Sequence, residues 1–309
     1  DSSNKTKDMP SERGAVTIPP YLSTAFPTTD FSRADPRLAG AVSGGPGKDG
    51  IPAIDAPRFV SLDSFTRSDE IQAVVLADGD SVKVYPYNIL TWHEIVNDTV
   101  NGESVAVTFC PLCGSAVVYK RTLSEGVTTF GVSGSLLESN MIMYDRATES
   151  LWQQSTGQAL AGAYFGTELS LVPFQLLTIG EIRAKYDDAQ VLSEQTGHLR
   201  DYARNPYAGY EENNAFIFAP SQTDARYKVK EIMVVFRAGD ISIATPWLVL
   251  NEHPVRTGMV NGKEIHLEKH DGELSVSVDG VETPFYFEMW FSFVAQHGAE
   301  GTVFDPHAL

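Results

Sequence analysis

A single shift of 160 residues, applied without a gap, lays residues 234–262 over residues 74–102 with ten identities in 29 positions. The matches are Val74-Val75 with Val234-Val235, Gly79-Asp80 with Gly239-Asp240, Pro86 with Pro246, Leu90 with Leu250, His93 with His253, and Val100-Asn101-Gly102 with Val260-Asn261-Gly262. Gly, Pro and Asn-Gly are selected by backbone geometry, so their recurrence at one offset implies a recurring chain path. Within the first copy, residues 73–77 form a continuous apolar run and residues 81–85 alternate polar with apolar, which predicts two strands around a Gly79 turn. Pro86 then opens a predicted short helix over 87–96, and Asn101-Gly102 predicts a hairpin turn into a strand ending at Phe109. The expected fold is α+β, predominantly β, with an internally duplicated strand-turn-strand-helix-hairpin unit. Residues 1–57, rich in Pro, Gly, Ser and Asp, read as an extended arm; 58–225 as a first lobe; and 226–309 as a second, degenerate lobe packed on the first.

The copies part company where chemistry is expected. The only two cysteines, Cys110 and Cys113, close the first copy's apolar strand in Cys-Pro-Leu-Cys-Gly; the same offset reaches His270 and Glu273 in the second. Two thiols at this spacing, in a tight bend with a glycine after it, can turn backbone amides toward the sulfurs and favour the metal-binding thiolate. A structural zinc site normally uses two such knuckles, and this chain has one. His93, 17 residues upstream on the predicted helix, is the candidate third ligand, with Met141, Met143 or His270 as further donors. Two thiolates and an imidazole suit copper or zinc, and the nearby thioethers lean toward copper. Two other readings stay open: thiol–disulfide exchange, although residues 115–119 look like a strand where that chemistry usually has a helix, and a non-catalytic module held by a structural disulfide.

Other chemistries find less in the sequence. Gly44-Gly45-Pro46-Gly47-Lys48 lacks the phosphate-loop pattern, and Ser133-Gly134-Ser135 lacks the nucleophile elbow of a hydrolase. Asp145, Asp98 and Glu94 are available as acids or bases, and turn or cap roles account for each. Forty acidic against 23 basic residues give a net charge of −17, which repels nucleic-acid backbones and anionic lipid. No run is long and apolar enough to span a membrane as a helix. A start at Asp1 fits a processed exported protein or a trimmed chain. Residues 201–210 predict an ordered, aromatic loop, and the aromatic-dense 284–294 a segment that closes the core.

Read together, several motifs in fixed order resemble the DUF3179 family: Trp92-His93-Glu94-Ile95-Val96-Asn97-Asp98, Phe109-Cys110-Pro111-Leu112-Cys113-Gly114, Gly131-Val132-Ser133-Gly134, Met143-Tyr144-Asp145-Arg146, Ser150-Leu151-Trp152-Gln153-Gln154, and Arg200-Asp201-Tyr202 with Asn205-Pro206-Tyr207. The resemblance extends from about residue 30 to about residue 300 and includes the upstream Gly44–Ala53 stretch. It implies an exported protein, periplasmic or secreted, often lipid-anchored before processing. It carries no established catalytic role, and the motif histidine and both cysteines are present at the matching positions.

Overall fold

The computed structural model describes residues 16–79, 81–298 and 301–305. The chain opens with α1 (Pro20–Ala25), β1 (Val42–Ser43) and β2 (Phe59–Ser61), and then enters the first predicted unit. That unit is β3 (Gln72–Asp78), β4 (Ser81–Pro86), α2 (Tyr87–His93), β5 (Ile95–Val100), β6 (Glu103–Cys110) and β7 (Ser115–Lys120). A small hairpin of β8 (Thr122–Leu123) and β9 (Gly126–Val127) leads to β10 (Phe130–Leu137), β11 (Asn140–Asp145), β12 (Leu151–Gln153) and β13 (Ala159–Ala161). Then come β14 (Gln175–Thr178), α3 (Ile179–Lys185) and β15 (Gln190–Leu192). At the offset of 160 stand β16 (Ile232–Ala238), β17 (Ile241–Pro246), α4 (Val249–Glu252), β18 (Val255–Val260) and β19 (Lys263–His270), followed by β20 (Glu273–Val278) and β21 (Val281–Glu282). The chain closes with β22 (Phe285–Met289), α5 (Trp290–His297) and β23 (Thr302–Val303). The fold is mostly β, with several sheets and few helices.

The two series pair alike. β14 runs antiparallel to β3 and β15 parallel to β4, while β22 runs antiparallel to β16 and β23 parallel to β17. Each hairpin turn is the Asn-Gly pair with both residues at positive φ, 47° and 85° in the first and 49° and 78° in the second. Such a turn matches the twist of its strands and fixes their register. The series differ in what they join. β7 meets β22 at Ala116 and Phe287, which makes a seven-stranded sheet β23-β17-β16-β22-β7-β6-β5, whereas β18 to β21 stand as a separate four-stranded sheet.

The helix predicted over 87–96 ends at His93. Glu94 takes a left-handed conformation (φ 59°), and Ile95-Val96 pair with Thr108 and Val107 as strand instead. Adjacent β-branched residues lose little side-chain freedom in a strand and more in a helix, so the boundary falls before them. Between 284 and 294 the aromatic segment becomes β22 and α5, with Phe285, Phe287, Trp290, Phe291 and Phe293 buried in the main core beside Val74, Tyr85 and Phe109. The loop over 201–210 is ordered, with Tyr202 and Tyr210 buried.

Residues of the arm are built into the body. Leu22, Phe26 and Leu38 pack on Ile142, Tyr144, Leu151 and Leu160. The Gly-rich run lies against β10, where a Cβ on Gly134 (φ +76°) would fall 2.1 Å from the Pro46 carbonyl, so only glycine fits. Further along, Ile54 adds a parallel bridge to β5: its amide donates to Ile95 O (2.9 Å) and its carbonyl accepts from Asn97 N (2.8 Å). This strap covers the outer edge of the sheet that carries the cysteines. Among the described residues no helix is long and apolar enough to cross a membrane.

Candidate functional site: a buried cysteine pair

β6 delivers Cys110 and β7 begins at Ser115, so the four residues between form the tight bend expected of the motif. The Cys113 amide donates back to Cys110 O (3.3 Å). Gly114 follows at φ +57°, packed so closely on Met289 and Ile232 that a side chain would press on both. Both cysteines are free thiols, and they are 1% and 0% exposed. A buried thiolate is expensive unless hydrogen bonds replace its water.

Cys113 has those bonds. Asn140 Nδ2 donates to its sulfur at 3.0 Å, and Ser115 Oγ stands at 3.0 Å from the same atom. The orientation of the Asn140 amide follows from its other end, because Oδ1 accepts from Gln153 Nε2 (2.7 Å) and Ser155 N (3.0 Å). Gln154 closes the network: its Oε1 accepts from Asn140 and competes with the Cys113 sulfur for the single Ser115 hydroxyl proton, and its Nε2 donates to Thr108 Oγ1 (2.8 Å). Burial alone would push the Cys113 thiol up, and hydrogen bonds from Cys110, Ser115 and Asn140 outweigh it and bring it down to about 7. Burial and the neighbouring Cys113 sulfur push the Cys110 thiol well above its usual range. Of the two sulfurs, Cys113 is therefore the one that gives up its proton first, and Cys110 the one that keeps it.

Two buried carboxyls lie within the electrostatic reach of Cys113. Glu94, at the end of α2, is pushed up to about 8 by burial and by Cys113. Glu288 on β22 reaches about 8 for the same two reasons, burial first, although Ser292 Oγ donates to it at 2.6 Å. Both are neutral acids at neutral pH, so they add no charge. Above the bend, Tyr210 donates to Leu112 O (2.9 Å), and a chamber of about 60 Å³ opens between Glu94, Leu112, Met141 and Tyr207. A larger cleft of about 580 Å³ is walled by Phe109 and Pro111, which flank Cys110, and by Tyr87, Tyr202 and Tyr207.

His93 is used differently. Its Nδ1 is 2.7 Å from Pro52 O and its Nε2 2.7 Å from the Tyr202 hydroxyl, so both ring nitrogens are engaged away from the sulfurs. Burial, with His198 and Arg200 nearby, holds its pKa down to about 4, and the ring is a neutral strut between the arm and the 201–210 loop. Among the described residues no three His, Cys, Asp or Glu side chains converge closely enough to hold one metal ion. The structure brings Cys110 and Cys113 together and leaves His93 apart. Met141 and Met143 are buried on β11, and His270 sits with its side chain 80% exposed beside Asp271. Asp145 accepts from Thr148 N and Trp152 Nε1, and Asp98 from Lys83 and Tyr85, so each carboxylate is tied into the framework.

Gln154 closes the Ser150–Gln154 motif, and Asn140 stands just before the apolar Met141-Ile142-Met143 run. Both amides are fully buried, and a polar residue bordering a buried strand is the signal that points to them.

The family described as a protein of unknown function (DUF3179) matches residues 48–298. No curated protein and no solved structure matches the chain.

Proposed function

The chain belongs to the DUF3179 family, and from that premise we propose that it is an extracytoplasmic protein that binds one soft metal ion, copper(I), between Cys110 and Cys113. The observation that carries this reading is the set of hydrogen bonds converging on the buried Cys113 sulfur, with no imidazole among the described residues completing a metal site there. The pair offers two sulfurs and stabilises one negative charge. A monovalent ion that replaces the remaining Cys110 proton leaves that charge unchanged. Zinc asks for four donors and brings two charges, and is the weaker fit to two sulfurs. The extracytoplasmic address, periplasmic or secreted, rests on the exported character that the family resemblance implies.

One observation favours a second reading, a thiol–disulfide couple. The two thiols differ in acidity, Cys113 lowered and Cys110 raised, as in a dithiol with an attacking and a resolving sulfur. Burial argues against a protein disulfide as its partner, because attack needs access to the sulfur.

Anaerobic titration with copper(I) against a competing chelator separates them. We expect one equivalent in the native chain and in His93→Ala, and none in Cys110→Ser or Cys113→Ser under the same competition. Equal uptake by the cysteine variants would sink the metal reading; a native chain that takes up no copper but cycles reversibly between dithiol and disulfide would favour the second.

A further inference from the structure

The two hairpins that answer to each other at the offset of 160 differ at their outer edges. In the first, Ile54 of the arm fills the edge of β5 by bonding to Ile95 O and Asn97 N. β18 has the same register on β19 that β5 has on β6, from Val255 opposite Glu268 to Val260 opposite Lys263, so the carbonyl of Val255 and the amide of Thr257 face outward as their counterparts do. Among the described residues nothing pairs with that edge: β18 is the terminal strand of its sheet.

Edges left open in soluble proteins are usually blunted by charge, proline or a bulge. β18 has no proline or bulge, and its one charged residue, Arg256, points inward and leaves the outward face uncharged. Its sequence, Val-Arg-Thr-Gly-Met-Val, contains none of the chain's 40 acidic residues, its ladder with β19 is unbroken, and it exposes Val255 (54%) and Met259 (65%) on one face. On the opposite face Arg256 is 5% exposed, and its Nε and Nη2 have no hydrogen-bond partner. Buried donors of that kind cost free energy until an acceptor arrives.

We propose that a second copy of this chain pairs with β18, antiparallel and edge to edge, about a two-fold axis at Thr257. The strand is self-complementary in that arrangement. Thr257 meets its own copy in a doubly hydrogen-bonded pair, and Val255 of one copy lies across from Met259 of the other, so both exposed apolar side chains are covered twice. On the inner face Arg256 stands opposite Gly258 of the second copy. Of the two matching hairpin edges, that of β18 is open among the described residues, because the strap occupies that of β5. The contact is one strand wide, so the dimer is a weak one, with a dissociation constant in the micromolar range.

Sedimentation equilibrium of the full chain across the micromolar range tests it. The native chain is expected to shift from monomer to dimer with concentration. Met259→Lys should weaken the dimer at least about 100-fold by setting two charges in the strip, each opposite an apolar residue, and Val281→Lys, on the far edge of the same sheet, should leave it intact. Unchanged far-ultraviolet circular dichroism in both variants excludes misfolding as the cause. A native chain that stays monomeric throughout, or a dimer that Met259→Lys leaves as tight, overturns the proposal, as does saturable binding of an extended Pro-Ala-Ile-Asp peptide to β18 in place of self-association.

Discussion

Replacing Asn140 with leucine, which keeps the shape and removes the amide, is expected to weaken copper(I) binding by about 10- to 100-fold, the usual scale for a group that orients and supports a metal ligand. The same change should move the Cys113 thiol up. Asn140 supplies one of the hydrogen bonds that hold the sulfur as a thiolate against its own burial; once that bond is lost, desolvation dominates. Stability should fall as well, by about 3 kcal/mol, because Gln153 Nε2 and Ser155 N lose the Oδ1 that accepts from them in a buried site. Ultraviolet absorbance of the thiolate against pH reads the first effect and urea denaturation the second. A thiolate titration that Asn140→Leu leaves in place would mean that Cys113 is held by something other than this amide.

The second large effect is on pH. Metal binding displaces whatever protons the sulfurs hold, so affinity falls as those protons become harder to remove. Cys113 is lowered to about 7 and Cys110 is raised. Above pH 7 one proton leaves per ion bound, from Cys110, and the apparent affinity should drop about tenfold for each unit of acidification. Once acidification has protonated Cys113 as well, two protons leave, and the drop becomes about a hundredfold per unit. The loss per unit therefore steepens as the solution is acidified through the range in which Cys113 takes up its proton. Competition titrations at fixed chelator and stepped pH give the slope directly. A single slope across the whole range from alkaline to acid would show that the two thiols do not differ as described.

Much of the fold could be read along the chain because its determinants are local. Asn101-Gly102 and Asn261-Gly262 dictate their own turns, the alternation over 81–85 dictates a strand with one buried face, and the spacing between elements recurs by 160. The aromatic run at 284–294 told of burial because so many rings cannot remain in water. What the chain could not tell was which distant groups meet. His93 lies 17 residues before Cys110 on a neighbouring element, yet the left-handed turn at Glu94 closes the helix, and the ring is anchored by Pro52 and Tyr202. Sequence proximity made it the leading third ligand; the strap and the aromatic loop compete for its two nitrogens. Asn140 and Gln154 reach Cys113 from 27 residues and 41 residues away along the chain, through the pairing of β10, β11 and β12, and no local pattern encodes that convergence.

X-ray absorption at the copper edge of the anaerobically loaded native chain is the most direct measurement of whether two sulfurs alone hold the ion. This account predicts a first shell of sulfur scatterers only, with a spectrum that His93→Ala leaves unchanged. A nitrogen shell carrying the outer scattering of an imidazole would contradict it and return the histidine to the metal.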